Sequence, residues 1–158
     1  MPRLLLFAPC HRVSYDANDQ SASLISLFQG FTVSAAPIPG RFPSGEVANI
    51  EIGIPLRWAI FTLLRKAAED DGKKFIQTCD LTKPSGKKIE LGAVSFEVKQ
   101  QFHRVTLNIT NFPVDESGDY ILRMQIRADG ETENVISCEY PVSVTHSPSP
   151  RQEPAIKT

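Results

Sequence analysis

From Tyr120 to Arg127 the chain alternates with strict period two. Tyr120, Leu122, Met124 and Ile126 fall on one phase, and Ile121, Arg123, Gln125 and Arg127 on the other. This pattern fits a strand with one face in the core and one toward solvent. Directly upstream, Asp115-Glu116-Ser117-Gly118-Asp119 is a run of turn-forming residues that feeds the strand. Tyr120 is the first inward position after that turn. A buried tyrosine hydroxyl needs a partner, and the turn backbone is the nearest source.

An acidic-Ser-Gly-x-Tyr run at the mouth of a strand resembles the tyrosine corner of immunoglobulin-like sandwiches, with Asp115, Gly118 and Tyr120 as its structural residues. In antibody-type domains the core disulfide cysteine lies two residues after that tyrosine. Here the position is Leu122, so the corner comes without the disulfide. Other strands are expected at Arg3–Ala8, Ser23–Ser34 (covered on both sides or bent at Gly30), Lys74–Leu81, Ile89–Val98, Arg104–Asn111 and Asn134–Thr145. Val13–Ser21 reads as a polar connection. Turn signals at Asp71-Gly72, Pro84-Ser85-Gly86 and Asp129-Gly130 separate the later strands. With the segment discussed next, this makes an all-β, immunoglobulin-like antiparallel sandwich of about eight strands with no core disulfide. The domain spans residues 1–145, and the proline-bearing residues 146–158 read as a disordered tail.

One segment admits two readings. Leu56, Ile60, Leu64 and Ala67 fit a helical face, yet Ile50, Ile52, Ile54, Leu56, Trp58, Ile60, Thr62 and Leu64 hold period two. Pro55 blocks a helix that starts much earlier. A strand over Trp58–Lys66 is expected, with helix as the alternative.

The hairpin after the corner carries a parity constraint. Inward residues are even-numbered on both arms, Tyr120 to Ile126 and Ile136 to Val144. Opposed residues share a face, so even must pair with even. The connection should therefore be odd in length or contain a bulge. The simplest form is a loop Asp129-Gly130-Glu131 that sets Leu122 against Cys138 and Arg127 against Glu133.

The order of elements is also similar to an uncharacterised prokaryotic family of small cytosolic immunoglobulin-like β-sandwich proteins. The resemblance rests on the short apolar first strand, Leu-Ile-Ser-Leu-Phe-Gln-Gly-Phe at Leu24–Phe31, the Pro-Gly-rich loop after it, Leu-Thr-Lys-Pro-Ser-Gly at Leu81–Gly86, and the Tyr120 corner. The chain departs from the family at Ala22-Ser23-Leu24 and at Lys83-Pro84-Ser85-Gly86. The resemblance covers roughly residues 3–145 and brings no catalytic residues with it.

Function is less legible. Seventeen basic and eighteen acidic residues leave a formal charge of -1, without the basic excess of a nucleic-acid module. The apolar run at Leu4–Ala8 is too short for a secretory core, and no stretch is long enough for a membrane helix. Three cysteines, Cys10, Cys79 and Cys138, form no metal-type pattern and suit reduced thiols in the cytoplasm. Cys10-His11 places two potential ligands on opposite faces of a strand. Asp16-Ala17-Asn18-Asp19 lacks the glycine and glutamate of a calcium loop. No phosphate-loop, nucleophile-elbow or zinc-helix motif occurs.

The expectation is a non-enzymatic cytoplasmic binding or accessory module with a protein partner, no nucleic acid, no membrane, no metal and no cofactor. Candidate binding residues are Ile38, Arg41 and Phe42 in the proline-rich loop, together with Lys83, Lys87 and Lys88 around one hairpin. The alternatives are a hydrolase whose residues converge only in space, with His11 or His103 beside a Ser or Cys, or a component of a larger phage-like or secretion assembly.

Overall fold

The computed structural model describes residues 1–18, 21–35 and 53–148. Within them the chain forms nine strands and one 3₁₀ turn at Ala68–Asp70. The strands are β1 (Arg3–Tyr15), β2 (Ala22–Leu27), β3 (Gly30–Ala35), β4 (Gly53–Arg65), β5 (Lys74–Thr82), β6 (Lys88–Glu97), β7 (Phe102–Pro113), β8 (Gly118–Ala128) and β9 (Asn134–Pro148). One sheet has the order β2-β1-β4-β7 and the other β3-β9-β8-β5-β6. The pairs are antiparallel except β3 with β9, which run parallel.

The core lies between the two sheets. Trp58, Ile60 and Leu64 of β4 and Val105 and Phe112 of β7 meet Phe75, Cys79 and Leu81 of β5 and the Tyr120–Ile126 phase of β8. Tyr120, Leu122, Met124 and Ile126 are fully buried, as the alternation predicts. Four neighbouring aromatic contacts tie the sheets at one end: Phe28–Trp58, Trp58–Phe112, Phe31–Phe112 and Phe112–Tyr120, with ring centroids 4.9–5.6 Å apart.

Several expectations change. Nine strands replace about eight, because Ser23–Ser34 is not one bent strand. The chain leaves β2 after Leu27, buries Phe28, and enters the opposite sheet at Gly30. Glycine is required at that entry, since a Cβ there would lie 2.7 Å from the Ser143 carbonyl oxygen on β9. Val13–Ser21 is not wholly a connection either, because β1 continues to Tyr15 and pairs with β2. At the other end β9 runs past Thr145 to Pro148, and His146 Nε2 sits 2.7 Å from the Val114 carbonyl oxygen.

The ambiguous segment is strand β4. Both phases are buried: Trp58, Ile60, Thr62 and Leu64 toward the core, Ala59 and Phe61 on the outer face. A strand covered on both sides is continuously apolar, which is why a helical spacing could be read from it.

The β8–β9 hairpin keeps the even-with-even parity, and a bulge lies between the Ile126↔Ile136 and Arg127↔Asn134 pairs. Gly130 has φ of +86°, and the Glu131 N–H donates to the Ala128 carbonyl at 3.1 Å. From Tyr120 to Ile126 the register is two residues from the simplest form, with Leu122 facing Tyr140; past the bulge Arg127 faces Asn134, one residue from it. A shift of two preserves which side chains are buried, so the burial argument had no power to choose between the registers. The observed one sets Arg123 against Glu139, with Nε and Nη2 donating to one carboxylate oxygen at 2.9 and 2.7 Å.

Candidate functional site

The corner is as the sequence predicts. The Tyr120 hydroxyl donates to the Glu116 carbonyl and accepts from the Glu116 N–H, both at 3.1 Å. Gly118 has φ of +132°, and Pro84 would crowd a Cβ at 3.1 Å. Asp115 accepts a 2.6 Å bond from the Lys83 ammonium, and Glu116 accepts from the Ser85 backbone N–H and hydroxyl at 2.8 Å. Lys83 is therefore not a surface contact: it is 3% exposed and pinned inside the corner. Burial works against the Asp115 carboxylate. The Lys83 ammonium, a bond from its own backbone N–H and the charge of Lys87 nonetheless hold it below the ordinary carboxylate range.

Lys87 and Lys88 are exposed at the same hairpin, while Ile38, Arg41 and Phe42 lie outside the described residues. Cys10 is buried and His11 exposed. Asp16 Oδ1 accepts from the Asn18 N–H at 2.7 Å, a local turn. His103 stacks on Phe96 with centroids 4.7 Å apart, and burial lowers its pKa. Among the described residues no group of three or more His, Cys, Asp or Glu converges to hold a metal ion. No helix there is long and apolar enough to cross a membrane.

The site with the most chemistry lies on the other sheet. β1 pairs with β4 from Arg3 to Cys10, where Cys10 meets Ala59, and from Cys10 onward it pairs with β2. Where β1 parts from β4, a cleft of about 520 Å³ opens, lined by His11, Arg12, Val13, Arg57, Trp58, Asn108, Ile109 and Thr110. Arg57 and Thr110 are cross-strand partners, as are Ala59 and Asn108, so Arg57, Asn108 and Thr110 share the outer face of the sheet. Further along that face, the Tyr15 hydroxyl meets Thr106 Oγ1 at 2.7 Å. Tyr15 lies two residues beyond Val13 on β1, and Thr106 two residues before Asn108 on β7; neither is among the residues that line the cleft. Behind the cleft, the Trp58 indole donates to the Asn111 carbonyl at 3.1 Å. Asn111 adopts φ of +72°, a region asparagine tolerates.

Arg12, Arg57 and His11 are exposed, and among the described residues neither guanidinium has an ion-pair or hydrogen-bond partner. Sequence reasoning missed Arg12, Arg57 and Asn108. The available signal was Arg57 itself, the one charge in the run Ile54–Leu64.

No family model and no curated protein matches this chain. Among solved structures, one that matches is the Pseudomonas fluorescens alkylpurine DNA glycosylase AlkC bound to DNA containing an abasic site analog. It has 20% identity and a TM-score of 0.31, and the match takes in 57% of this chain and 26% of that one. A likeness this slight carries neither activity nor ligand across. The expected protein-binding module and the expected exclusion of nucleic acid are both withdrawn on the structure itself. Lys83, offered as a protein contact, is buried, and net charge averages over the whole chain and is blind to Arg12 and Arg57 lining one cleft.

Proposed function

We propose that the protein is an anion-binding module, and that the cleft between β1 and the β4–β7 pair receives a phosphate group. One observation carries this reading: two guanidiniums without partners among the described residues line the same cleft. Guanidinium presents a planar fork of donors that matches phosphate oxygens. Asn108 and Thr110, on the same face of the sheet as Arg57, add donors beside it. A cleft of about 520 Å³ falls within the roughly 300–1,000 Å³ of small-molecule sites.

The sandwich is proposed to be immunoglobulin-like. The tyrosine corner at the start of β8 and the early strand pair split between sheets support this, with β3 parallel to β9. Three free cysteines suit a cytoplasmic setting.

Trp58 is the only tryptophan of the chain and lines the cleft, so its fluorescence reports occupancy. Titration with inorganic phosphate and pyrophosphate is expected to give a saturable change that weakens with added salt. Arg12→Ala and Arg57→Ala should each weaken binding roughly tenfold or more, the scale of a charge-assisted hydrogen bond. Absence of binding to the wild type, or binding that neither variant alters, would refute the proposal.

A further inference from the structure

We infer that a single strand of nucleic acid lies along the outer face of the β4–β7 pair, with its phosphates on Arg57, Arg65 and Arg104 and its bases against Phe102 and Tyr15. At its Arg57 end the inference rests on the anion-binding reading, and it names the larger ligand to which that anion belongs.

Charge is divided unevenly between the two sheets. Strands β1, β2, β4 and β7 carry Arg3, Arg12, Arg57, Arg65 and Arg104, with no lysine and no acidic residue. The other sheet carries Asp80, Glu90, Glu97, Asp119 and Glu139, so a net charge of -1 conceals a basic sheet. Arg3 and Arg65 are cross-strand partners, and neither has an ion-pair or hydrogen-bond partner among the described residues. Like charges directly opposed repel. No acidic side chain in these four strands offsets them, and a bound polyanion would.

The ladder between β4 and β7 is regular from Arg57↔Thr110 to Arg65↔Phe102. It sets Phe102, Arg104, Thr106, Asn108 and Thr110 in one row on the outer face, with Arg65 beside one end and Arg57 beside the other. From Arg57 to Arg65 the strand runs about 27 Å. Among the described residues β7 is the last strand of its sheet, so the row lies at an edge. Phe102, Asn108 and Thr110 are exposed, and Arg104 and Thr106 are half-buried. Arginine, threonine and asparagine are donors to phosphate and sugar oxygens. The aromatic residues among the exposed large apolar side chains are Phe102 and Tyr15, each 45% exposed. Both adjoin the row, since Phe102 belongs to it and the Tyr15 hydroxyl is 2.7 Å from Thr106 Oγ1. Cations that track a backbone, next to rings that take bases, suit a single strand. A duplex keeps its base faces stacked and would leave the rings unused.

The test uses the full chain with a short labelled oligothymidylate, its duplex with oligoadenylate, inorganic polyphosphate, and vesicles of phosphatidylserine and phosphatidylcholine. Inorganic phosphate is titrated separately on Trp58 fluorescence. The single strand should bind most tightly, with a salt slope of about -2, from about -0.7 for each arginine–phosphate contact. Arg65→Ala, outside the cleft, should weaken the strand roughly tenfold and remove about 0.7 of that slope, while phosphate binding in the cleft stays as it was. Phe102→Ala should weaken the strand roughly fivefold or more at unchanged slope. Phe102→Tyr, which keeps the ring, should retain most of the affinity and guards against a folding defect in the alanine variant. Phosphate bound in the cleft without binding of the strand overturns this inference and spares the anion site. A strand that binds and responds to Arg65→Ala and Phe102→Ala, with no binding of phosphate alone, upholds this inference and overturns the anion site as an independent one. Polyphosphate or duplex binding as tightly as the single strand overturns the placement of bases on the rings. Vesicles bound in preference to the strand assign the face to a lipid surface instead.

Discussion

Tyr120 and Glu116 close on each other through two hydrogen bonds, the phenol giving one to the Glu116 carbonyl and taking one from its N–H. The ring is fully buried against Phe112, so the hydroxyl is held where water does not reach the side chain freely. Tyr120→Phe leaves the packing and strands both backbone groups of Glu116. We expect a loss of about 1–2 kcal/mol in denaturant unfolding, read from the midpoint at unchanged slope. A change within error of zero would mean the corner bonds add nothing to stability.

The Lys83–Asp115 pair sets a pH dependence in the same corner. The Asp115 pKa is lower folded than unfolded, so its contribution is complete above the unfolded value of about 4. It is lost as the pH falls through the folded value. Asp115→Asn should cost about 1–3 kcal/mol at pH 7, because the ammonium it leaves is buried. It should also flatten the acid limb of the stability profile. An acid limb that the variant leaves unchanged would show that other carboxylates carry it.

How far the sequence reaches depends on the range of the interactions concerned. The corner was legible because its demands are local: Tyr120, Gly118 and Glu116 are within four residues of one another, and burial of one hydroxyl dictates the rest. The parity of β8 and β9 was legible because two alternating faces must both turn inward. Their register was not, since a slip of two hides the same side chains. The cleft was illegible for a different reason. Arg12 and Arg57 line one cleft only because β1 pairs with β4 as far as Cys10 and then parts from it, and no local pattern marks that point of departure. Lys83 misled in the opposite direction, as one of several lysines near a hairpin whose partner, Asp115, lies 32 residues away.

Gln77 is a polar side chain in an otherwise apolar inward row with Phe75, Cys79 and Leu81. Its Nε2 donates to Cys79 Sγ at 3.6 Å, a weak bond, and its Oε1 has no partner among the described residues. An unpartnered buried amide oxygen costs about 1–3 kcal/mol. Gln77→Met keeps the length and removes both polar atoms. The variant should be at least as stable as the parent, and by up to about 1–3 kcal/mol more so, in thermal and denaturant unfolding. A clear destabilisation would show that the amide makes a structural bond that the geometry does not reveal.

The thiols should separate by burial into one that reacts and two that do not. Cys10 is buried and its pKa is raised by that burial. Cys79 is pushed up to about 11, chiefly by burial, with the Gln77 bond opposing and the nearby Asp80 charge adding. At pH 8 its thiolate fraction is then on the order of one in a thousand, and the thiolate is the nucleophile. Cys138 is half-buried on β9, opposite Met124. With an aromatic disulfide reagent at pH 8, the native protein should release one equivalent of chromophore quickly. The remaining two should appear only at the rate of unfolding, and denaturant should bring all three into the fast phase. Cys138→Ser should abolish the fast equivalent and leave the slow two. A fast phase that survives this substitution would place Cys10 or Cys79 within reach of solvent, and with it the β1–β4 junction or the inward row of β5.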